Sequence, residues 1–348
     1  MKQILFFIVW CIAGNLSAQL LTGIVLNAEN HEPVIGAHVY LEGSSLFDVT
    51  DADGRFKIVV NSIVNVPLVI RHITYYPAII SNPFTSLPDT IFVKEQEYSL
   101  NEIVVQASKY TRREMLSVFR KIFLGTSSTA ASCVIENEDK IDLWYNSLTY
   151  TLSAECDVPI RIHNRYLGYR LYVTLTDFEA EFSNRGIKAK EPVIKYQCSI
   201  IFEDLASSNK RIADRRMNTY IGSSSHFLRA LATNKLNQAG YELFDSGEKD
   251  ANLLTGFFTL TGAEDYTKVV ININPNLQNQ TLYFGYPSLG RFYAVRNKGA
   301  ETTEIVFFTT IIYINAWGQL SHPNDLLFIG HMGSLRFGDR LPVNYGIE

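Results

Sequence analysis

The first hundred residues alternate short strand-like segments with turn-forming residues, and this pattern limits the folds open to the chain. Segments such as LLTGIVLN (20–27), HVYLEG (38–43) and VPLVIRHITY (66–75) are rich in β-branched and aliphatic residues. Turn-forming residues, among them Pro33 and Gly36, lie between them. Many short strands without a helical period are typical of a small β-sandwich. We therefore predict a β-sandwich over residues 19–106.

The segment VTDADGRFKI (49–58) contains two acidic residues and a glycine, as a calcium loop does. An EF-hand loop needs oxygen ligands at its first and twelfth positions when the glycine stands sixth. With Gly54 at the sixth position, these places are taken by Val49 and Val60, which cannot bind a hard cation. The sequence instead predicts a β-hairpin with its turn at DADG. We expect no metal site at Asp51 or Asp53, and no cofactor in the chain.

A longer set of positions in this region resembles the carboxypeptidase regulatory-like domain, a transthyretin-like β-sandwich. The residues that carry the resemblance are Gly23, Val25, Asn27, Pro33, Gly36, Ala37, Val39, Leu41, Gly43, Thr50, Asp51, Gly54 and Phe56. LNEIVV (100–105) is similar to the segment that closes this domain in many exported Gram-negative proteins. The chain departs from the pattern at Phe47, Asp48 and Thr74. The resemblance implies that Asp51 and Gly54 serve the fold.

The domain's name does not imply peptidase activity. In metallocarboxypeptidases this module accompanies a separate zinc domain, which carries an H-x-x-E motif. No histidine of this chain has a glutamate three residues later, and H-E-x-x-H is absent as well. We therefore predict no catalytic residues and no enzymatic activity.

Residues 1–18 have the composition of a secretory signal peptide. Lys2 precedes an apolar run over residues 4–13, and small or polar residues follow as far as Ala18. The run is shorter than the roughly 20 apolar residues that span a bilayer. We expect an exported protein of a Gram-negative bacterium, located in the periplasm or at the outer membrane or cell surface. Outer-membrane association would then need no transmembrane segment.

Charge and cysteine content exclude some classes of protein. The chain has 31 basic and 35 acidic residues, and its formal net charge of −4 argues against nucleic-acid binding. Three cysteines, Cys133, Cys156 and Cys198, lie beyond the predicted signal peptide. Buried free thiols and a single disulfide between Cys133 and Cys156 both stay open.

The sequence period changes after residue 106. In TRREMLSVFRKIFLG (111–125), Met115, Val118, Phe119 and Ile122 recur at helical spacing, and Gly125 ends the pattern. We predict a linker helix over residues 107–125. Strand-like segments return over residues 126–348, which predicts a larger β-rich α+β domain and a chain that is mainly β with a few helices. IVFFTTIIYI (305–314) is expected to be a buried strand.

Residues 210–240 are predicted to be helical, with Ser224 or Ser225 as the N-cap and Gly240 at the end. Serines at a helix start, with arginines nearby, are the best anion-binding chemistry in the chain. The predicted anion or glycan site consists of Arg215, Arg216, Ser224, His226 and Arg229. The alternative is an ordinary cap beside a solvated basic turn.

The whole arrangement, including GSSSHFLRAL (222–231), is similar to exported Gram-negative envelope proteins without an assigned activity. We expect a non-catalytic envelope protein, with the sandwich as a docking or spacer module and a C-terminal domain that binds a protein or glycan partner. The alternative is a hydrolase whose His and carboxylates converge from distant strands. A cleft that holds titratable groups with shifted pKa values would favour the enzyme. An aromatic strip would favour a glycan, and an exposed apolar patch a protein partner.

Overall fold

A computed structural model of the chain describes residues 19–61, 66–96, 109–189, 192–246, 251–262, 265–273, 281–283 and 285–347. The predicted signal peptide and the LNEIVV segment lie outside these residues. The described chain is mainly β with a few helices, as the sequence predicts. Every helix in these ranges is too short or too polar to cross a membrane.

Two packed sheets form the N-terminal sandwich that the sequence predicts. Its described elements are β1 (Gln19–Asn27), β2 (His38–Leu41), β3 (Phe47–Val49), β4 (Arg55–Val60), β5 (Leu68–His72), β6 (Tyr75–Ile80), α1 (Pro83–Ser86) and β7 (Thr90–Val93). One sheet has the strand order β4-β1-β7 and the other β3-β2-β5-β6. The predicted alternation is visible in β4, where Phe56, Ile58 and Val60 are buried and the residues between them are exposed. These buried residues enter the core of the sandwich.

The DADG turn forms, but the predicted hairpin does not. Asp51 Oδ1 accepts hydrogen bonds from the backbone N–H groups of Asp53 and Arg55, at 3.0 and 2.8 Å. Gly54 has a φ of +72°, and a Cβ there would lie 2.5 Å from the carbonyl oxygen of Val25. The flanking strands β3 and β4 belong to different sheets, so the turn carries the chain from one layer to the other. Alternation predicts two strands but does not say which neighbours they pair with. The absence of calcium stays a prediction.

A six-stranded antiparallel sheet and one long helix follow the sandwich. Their elements are α2 (Arg112–Leu124), β8 (Cys133–Ile135), β9 (Asp142–Asn146), β10 (Thr151–Glu155), β11 (Ile160–Asn164), β12 (Tyr169–Glu181) and β13 (Val193–Asp204). The order is β8-β11-β12-β10-β9, and β13 pairs with the other side of β12. α2 ends at Gly125, as predicted, but it begins later than the predicted residue 107, at a capping box between Thr111 and Glu114. Phe119 and Phe123 pack against Phe178, so this helix contributes to the core of the sheet.

A second core lies between two smaller sheets. The elements are α3 (Lys210–Tyr220), α4 (Ser224–Ala232), β14 (Glu242–Phe244), β15 (Phe258–Gly262), β16 (Tyr266–Ile271), β17 (Leu282–Tyr283), β18 (Tyr286–Pro287), β19 (Gly290–Arg296), β20 (Glu301–Phe307), β21 (Ile311–Asn315), β22 (Leu326–Gly330) and α5 (His331–Ser334). The sheets have the orders β14-β19-β20-β22 and β15-β16-β21. Phe227 and Leu231 of α4 are buried in this core.

Two predictions about this region were wrong in detail. The segment 305–314 is not one strand, because β20 and β21 belong to different sheets. Thr309 marks the bend between them, where its Oγ1 accepts a hydrogen bond from the N–H of Ile311 at 3.3 Å. The helix that the serines begin ends at Ala232 rather than at Gly240, and a separate helix, α3, precedes it within the segment 210–240. A run of apolar or helix-forming residues does not show where one strand or helix ends and the next begins.

The sandwich packs directly on the six-stranded sheet. Gly43 N–H donates to the Ile200 carbonyl at 3.1 Å, and Phe202 N–H donates to the Ser44 carbonyl at 3.1 Å. Beside these bonds, Tyr40 and other buried side chains of the two units form an apolar cluster. Trp317, which follows β21, is 1% exposed and lies in the core of the sandwich. The domain boundary near residue 106 stays a prediction.

The three cysteines beyond residue 18 are free thiols, which decides between the two alternatives left open by the sequence. Burial raises the pKa of Cys133 to about 12 and that of Cys198 to about 11. Both thiols are therefore held in the protonated, poorly nucleophilic form at neutral pH.

Candidate binding cleft

The N-cap of α4 is Ser223, not Ser224 or Ser225. The Ser223 Oγ accepts a hydrogen bond from the N–H of His226 at 3.2 Å, and its backbone is extended, as a cap requires. The helix ends at Ala232, and Gly240 lies in the turn before β14. Three consecutive serines are equivalent caps in sequence, so the backbone conformation selects among them.

Arg216 is buried and connects neighbouring segments of the fold. Its guanidinium makes two hydrogen bonds to the Asp204 carboxylate, at 2.7 and 2.8 Å. It also donates to the carbonyls of Leu167 and Gly168, at 2.7 and 3.1 Å, and lies over the ring of Tyr169. Burial opposes ionisation of Asp204, but the hydrogen bonds from Arg216 outweigh it and lower the pKa of that carboxyl. These bonds occupy Arg216 and leave it little capacity to bind a ligand.

Two of the other predicted residues, Arg215 and His226, also have partners inside the protein. Arg215 donates to the Tyr166 carbonyl at 3.4 Å and lies over the Tyr166 ring. His226 Nδ1 lies 3.0 Å from the hydroxyl of Tyr241, and burial lowers the pKa of His226. Both interactions join a helix to a neighbouring segment of the fold.

Arg229 joins α4 to two distant segments. Its Nε donates to the Trp317 carbonyl at 3.0 Å, Nη1 to the Tyr345 carbonyl at 2.6 Å and Nη2 to the Val343 carbonyl at 2.5 Å. Ser224 and Arg229 border one cleft, whereas Arg216 borders a separate cavity of about 500 Å³. The structure thus brings two of the five predicted residues to one cleft.

That cleft has a volume of about 520 Å³ and lies where several parts of the chain meet. Its walls come from the first turn of α4, from β13 and β22, from the C-terminal segment after α5, and from Gly43 of the sandwich. Two arginines of the C-terminal segment, Arg336 and Arg340, line it together with Asp339. Sequence analysis missed these residues. The only signal was the charged, glycine-containing stretch RFGDR (336–340), which has no helical or strand period.

The two arginines differ from Arg216 in having uncommitted donors. Arg336 Nη1 donates to the Gly333 carbonyl, and its Nε and Nη2 have no hydrogen-bond partner in the described part of the chain. Arg340 is exposed, and its Nη2 donates to the hydroxyl of Tyr196 at 3.1 Å. Asp339 is 8% exposed and accepts a hydrogen bond from Ser127 Oγ at 2.6 Å. Burial raises the pKa of Asp339, which weakens the negative charge that this carboxyl group brings to the cleft.

The lining of this cleft differs in charge from that of a depression of similar size on the sandwich. That depression, about 550 Å³ in volume, is lined by three aspartates, Asp48, Asp51 and Asp89, against Arg55 and Lys57. Two of the aspartates already accept backbone N–H groups. An anion therefore finds a favourable field in the cleft rather than on the sandwich.

Glu42 lies beside the cleft, at the seam between the sandwich and the six-stranded sheet. Its Oε1 accepts a hydrogen bond from Ile200 N–H at 3.0 Å. Burial raises the pKa of Glu42 to about 7, although this hydrogen bond and the charges of Arg71 and Arg340 act in the opposite direction. The seam therefore holds a carboxyl group whose ionisation opposes the folded state.

We expect the variant Glu42→Gln to be more stable than the wild type at pH 8 and equally stable at pH 4. The pKa of Glu42 is raised in the folded state. Its stabilising contribution to the free energy of unfolding is therefore complete below about pH 4.5 and is lost as the pH rises to about 7. The pKa rises by about 2.5 units, from 4.5 to about 7, so at about 1.4 kcal/mol per unit the loss of stability is about 3.5 kcal/mol. Glutamine keeps the acceptor for Ile200 and removes the charge.

The measurement is urea unfolding of both proteins from pH 4 to pH 8. Burial lowers the pKa of His38 and His72 in the sandwich, and their protonation destabilises the fold as the pH falls. Both proteins contain these histidines, so the difference between them isolates Glu42. A stability difference that does not change with pH would contradict the prediction.

Comparison with known families bears on the N-terminal unit. Residues 21–105 match the model of the CarboxypepD_reg-like domain. The N-terminal sandwich is a CarboxypepD_reg-like domain. This confirms the resemblance seen in the sequence, and such a domain is regulatory and non-catalytic. The match does not extend over residues 106–348, so the likeness of that region to exported envelope proteins stays a prediction.

The remaining comparisons add no functional information. No curated protein matches the chain. Among solved structures, the chain is similar to a 9R-lipoxygenase from Cyanothece PCC8801 at 10% identity, over 64% of this chain and 50% of that chain. The TM-score is 0.18, and at that value the likeness carries no argument about fold or activity.

Proposed function

We propose that the protein is a non-catalytic, exported envelope protein that binds an acidic glycan in the cleft beside α4. The CarboxypepD_reg-like domain would be the docking module, and it contributes Gly43 to the lining of this site. The observation that carries the proposal is the pair Arg336 and Arg340, which line a cleft of about 520 Å³ with donors to spare. Export rests on the predicted signal peptide at residues 1–18.

Guanidinium groups suit this ligand because their planar donors match the two oxygens of a carboxylate or sulfate group. The volume falls within the range of ordinary ligand sites, which is about 300–1,000 Å³. Tyr196 and Tyr220 also line the cleft and offer aromatic and hydroxyl surface to a sugar ring. An acidic sugar would thus meet charge, hydrogen-bond donors and aromatic surface in one place.

The first turn of α4 adds backbone donors to the cleft. Ser223 caps the N–H of His226, whereas Ser224 and Ser225 are the first two helical residues and line the cleft. N–H groups at these positions have no intrahelical partner and carry partial positive charge. Their contribution supplements that of the arginines.

The test is binding of sulfated, carboxylated and neutral oligosaccharides, measured by titration calorimetry at 50 and 200 mM salt. The double variant Arg336→Gln/Arg340→Gln is compared with wild type and with Arg113→Gln/Arg211→Gln, which removes two exposed arginines elsewhere. We expect wild type and control to bind acidic glycans, more weakly at high salt, and the cleft variant to lose at least tenfold in affinity. Equal affinity in all three proteins, or binding of neutral sugars only, would reject the site.

One observation favours a hydrolase as the second candidate. Asp339 in the cleft and Glu42 beside it both have a raised pKa, and raised carboxyl pKa values occur at general acids. A hydrolase would lose its activity in Asp339→Asn, while binding of the glycan would persist. If no member of the oligosaccharide panel is cleaved by the wild type, the binding function stands alone.

A further inference from the structure

The outer face of the six-stranded sheet is divided by a bulge in β12. The pairing of β12 with β13 shifts register between Leu175 and Asp177. Before the bulge, Tyr172 faces outward and packs against the cluster that joins the sheet to the sandwich. After it, Asp177, Glu179 and Glu181 face outward and are exposed. One half of this face is covered by the sandwich, and the other half is open.

Cross-strand register places further residues on the open half. Asp142 of β9 lies opposite Glu155 of β10, and Trp144 lies opposite Ser153. Ser153 pairs with Glu179, which in turn pairs with Lys195 of β13. The alternating residues on these strands, such as Leu152 and Ala180, are buried in the core beneath. We call the exposed set the acidic half-face; its residues are Asp142, Trp144, Glu155, Asp177, Glu179, Glu181 and Lys195.

The acidic half-face concentrates negative charge. It holds five carboxylates and one lysine, an excess as large as the formal net charge of −4 of the whole chain. None of the five carboxylates forms an ion pair with a basic side chain in the described ranges. Asp142 and Glu155 are directly opposite one another, an arrangement in which like charges destabilise a sheet. A cationic partner would relieve this repulsion.

Apolar groups lie on and beside the same surface. Trp144 is 40% exposed within the acidic half-face. The β9–β10 connection adds Leu148, which is 88% exposed, and Tyr150, which is 38% exposed. The face of an indole ring attracts ammonium and guanidinium groups, and arginine above all. An exposed tryptophan among carboxylates therefore suits a basic peptide, because the partner's cations meet both kinds of group.

We propose that the acidic half-face docks a segment of a partner protein that is rich in Lys and Arg. The segment lies across β9, β10 and β12, with its cations on the carboxylates and one guanidinium over Trp144. The argument is charge complementarity together with the exposed ring. This surface is distinct from the cleft beside α4 and has the opposite charge, so the inference does not depend on the proposed function.

The test uses an arginine-rich peptide as probe and fluorescence anisotropy at 50 and 150 mM salt. The variant Asp177→Asn/Glu179→Gln/Glu181→Gln is compared with Glu29→Gln/Asp53→Asn/Glu242→Gln, which removes the same charge from exposed positions elsewhere. We expect the first triple to lose at least tenfold in affinity and the second less than threefold. Trp144→Leu is expected to lose about threefold to tenfold, because the ring contributes beyond the carboxylates.

Two outcomes would overturn the inference. Equal losses in the two triple variants would show that the peptide responds only to net charge. Self-association of the wild type that is abolished in the first triple, with no binding of the peptide, would make a second copy of the chain the occupant. Circular dichroism of each variant confirms that the fold is kept, since all the substituted residues are exposed.

Discussion

Replacing Arg216 with alanine is expected to destabilise the protein by about 3–5 kcal/mol, because it removes a buried guanidinium whose hydrogen bonds, being made by a charged group, are each worth about 1.5–3 kcal/mol. The guanidinium makes hydrogen bonds to Asp204 and to the carbonyls of Leu167 and Gly168. Alanine leaves the carboxylate and both carbonyls without this donor, and it removes the group that lies over Tyr169. The free energy of unfolding is measured by guanidinium chloride denaturation.

The neighbouring arginine is the matched control. Arg215 lies on the same helix but makes one long hydrogen bond and a contact with an accessible ring, so Arg215→Ala is expected to cost about 1 kcal/mol or less. The double variant Arg216→Met/Asp204→Asn should recover part of the loss, since neither partner is then left charged. If Arg216→Ala costs no more stability than Arg215→Ala, the hydrogen bonds of Arg216 do not stabilise the fold as we expect.

The second large effect is expected at Trp317. Trp317→Ala should destabilise the protein by about 3–5 kcal/mol, because it leaves a large cavity in the core of the sandwich. The loss of stability should be detected in strands that lie more than 200 residues away from Trp317 in sequence. Hydrogen exchange is expected to show lower protection in β1 and β4, whose buried residues share this core with Trp317.

Trp144 supplies the control for this experiment, because it is 40% exposed and lies on a different sheet. Trp144→Ala is expected to cost about 1 kcal/mol or less, with unchanged protection in the sandwich. Protection lost only around residues 311–320 in Trp317→Ala would contradict the prediction. The same contact implies that an isolated fragment of residues 20–105 is less stable than the sandwich within the full chain.

Local pattern determined a large part of the fold. Alternation along β4 and the turn chemistry of Asp51 and Gly54 predicted the sandwich, because side-chain period and positive φ depend on neighbouring residues alone. The capping box at Thr111 and the stripe from Met115 set the bounds of α2 in the same way. The match of residues 21–105 to the CarboxypepD_reg-like domain agrees with this sandwich, but the short-range signals did not predict that β3 and β4 pair in different sheets.

Tertiary structure decided which residues are available for function. Arg215 and Arg216 are adjacent and chemically identical, yet one is half-buried at the surface and the other is buried on Asp204. The difference follows from the helical rotation of about 100° between them and from strands that the local sequence does not describe. The cleft arginines Arg336 and Arg340 gave no periodic signal, because their segment is ordered by contacts with α2 and the six-stranded sheet, where Phe337 packs on Phe123 and the Gly338 carbonyl accepts a hydrogen bond from Asn164. Segments hundreds of residues apart in sequence contact one another only because the surfaces of the cores pack together. Those contacts are therefore decided by the assembled tertiary structure.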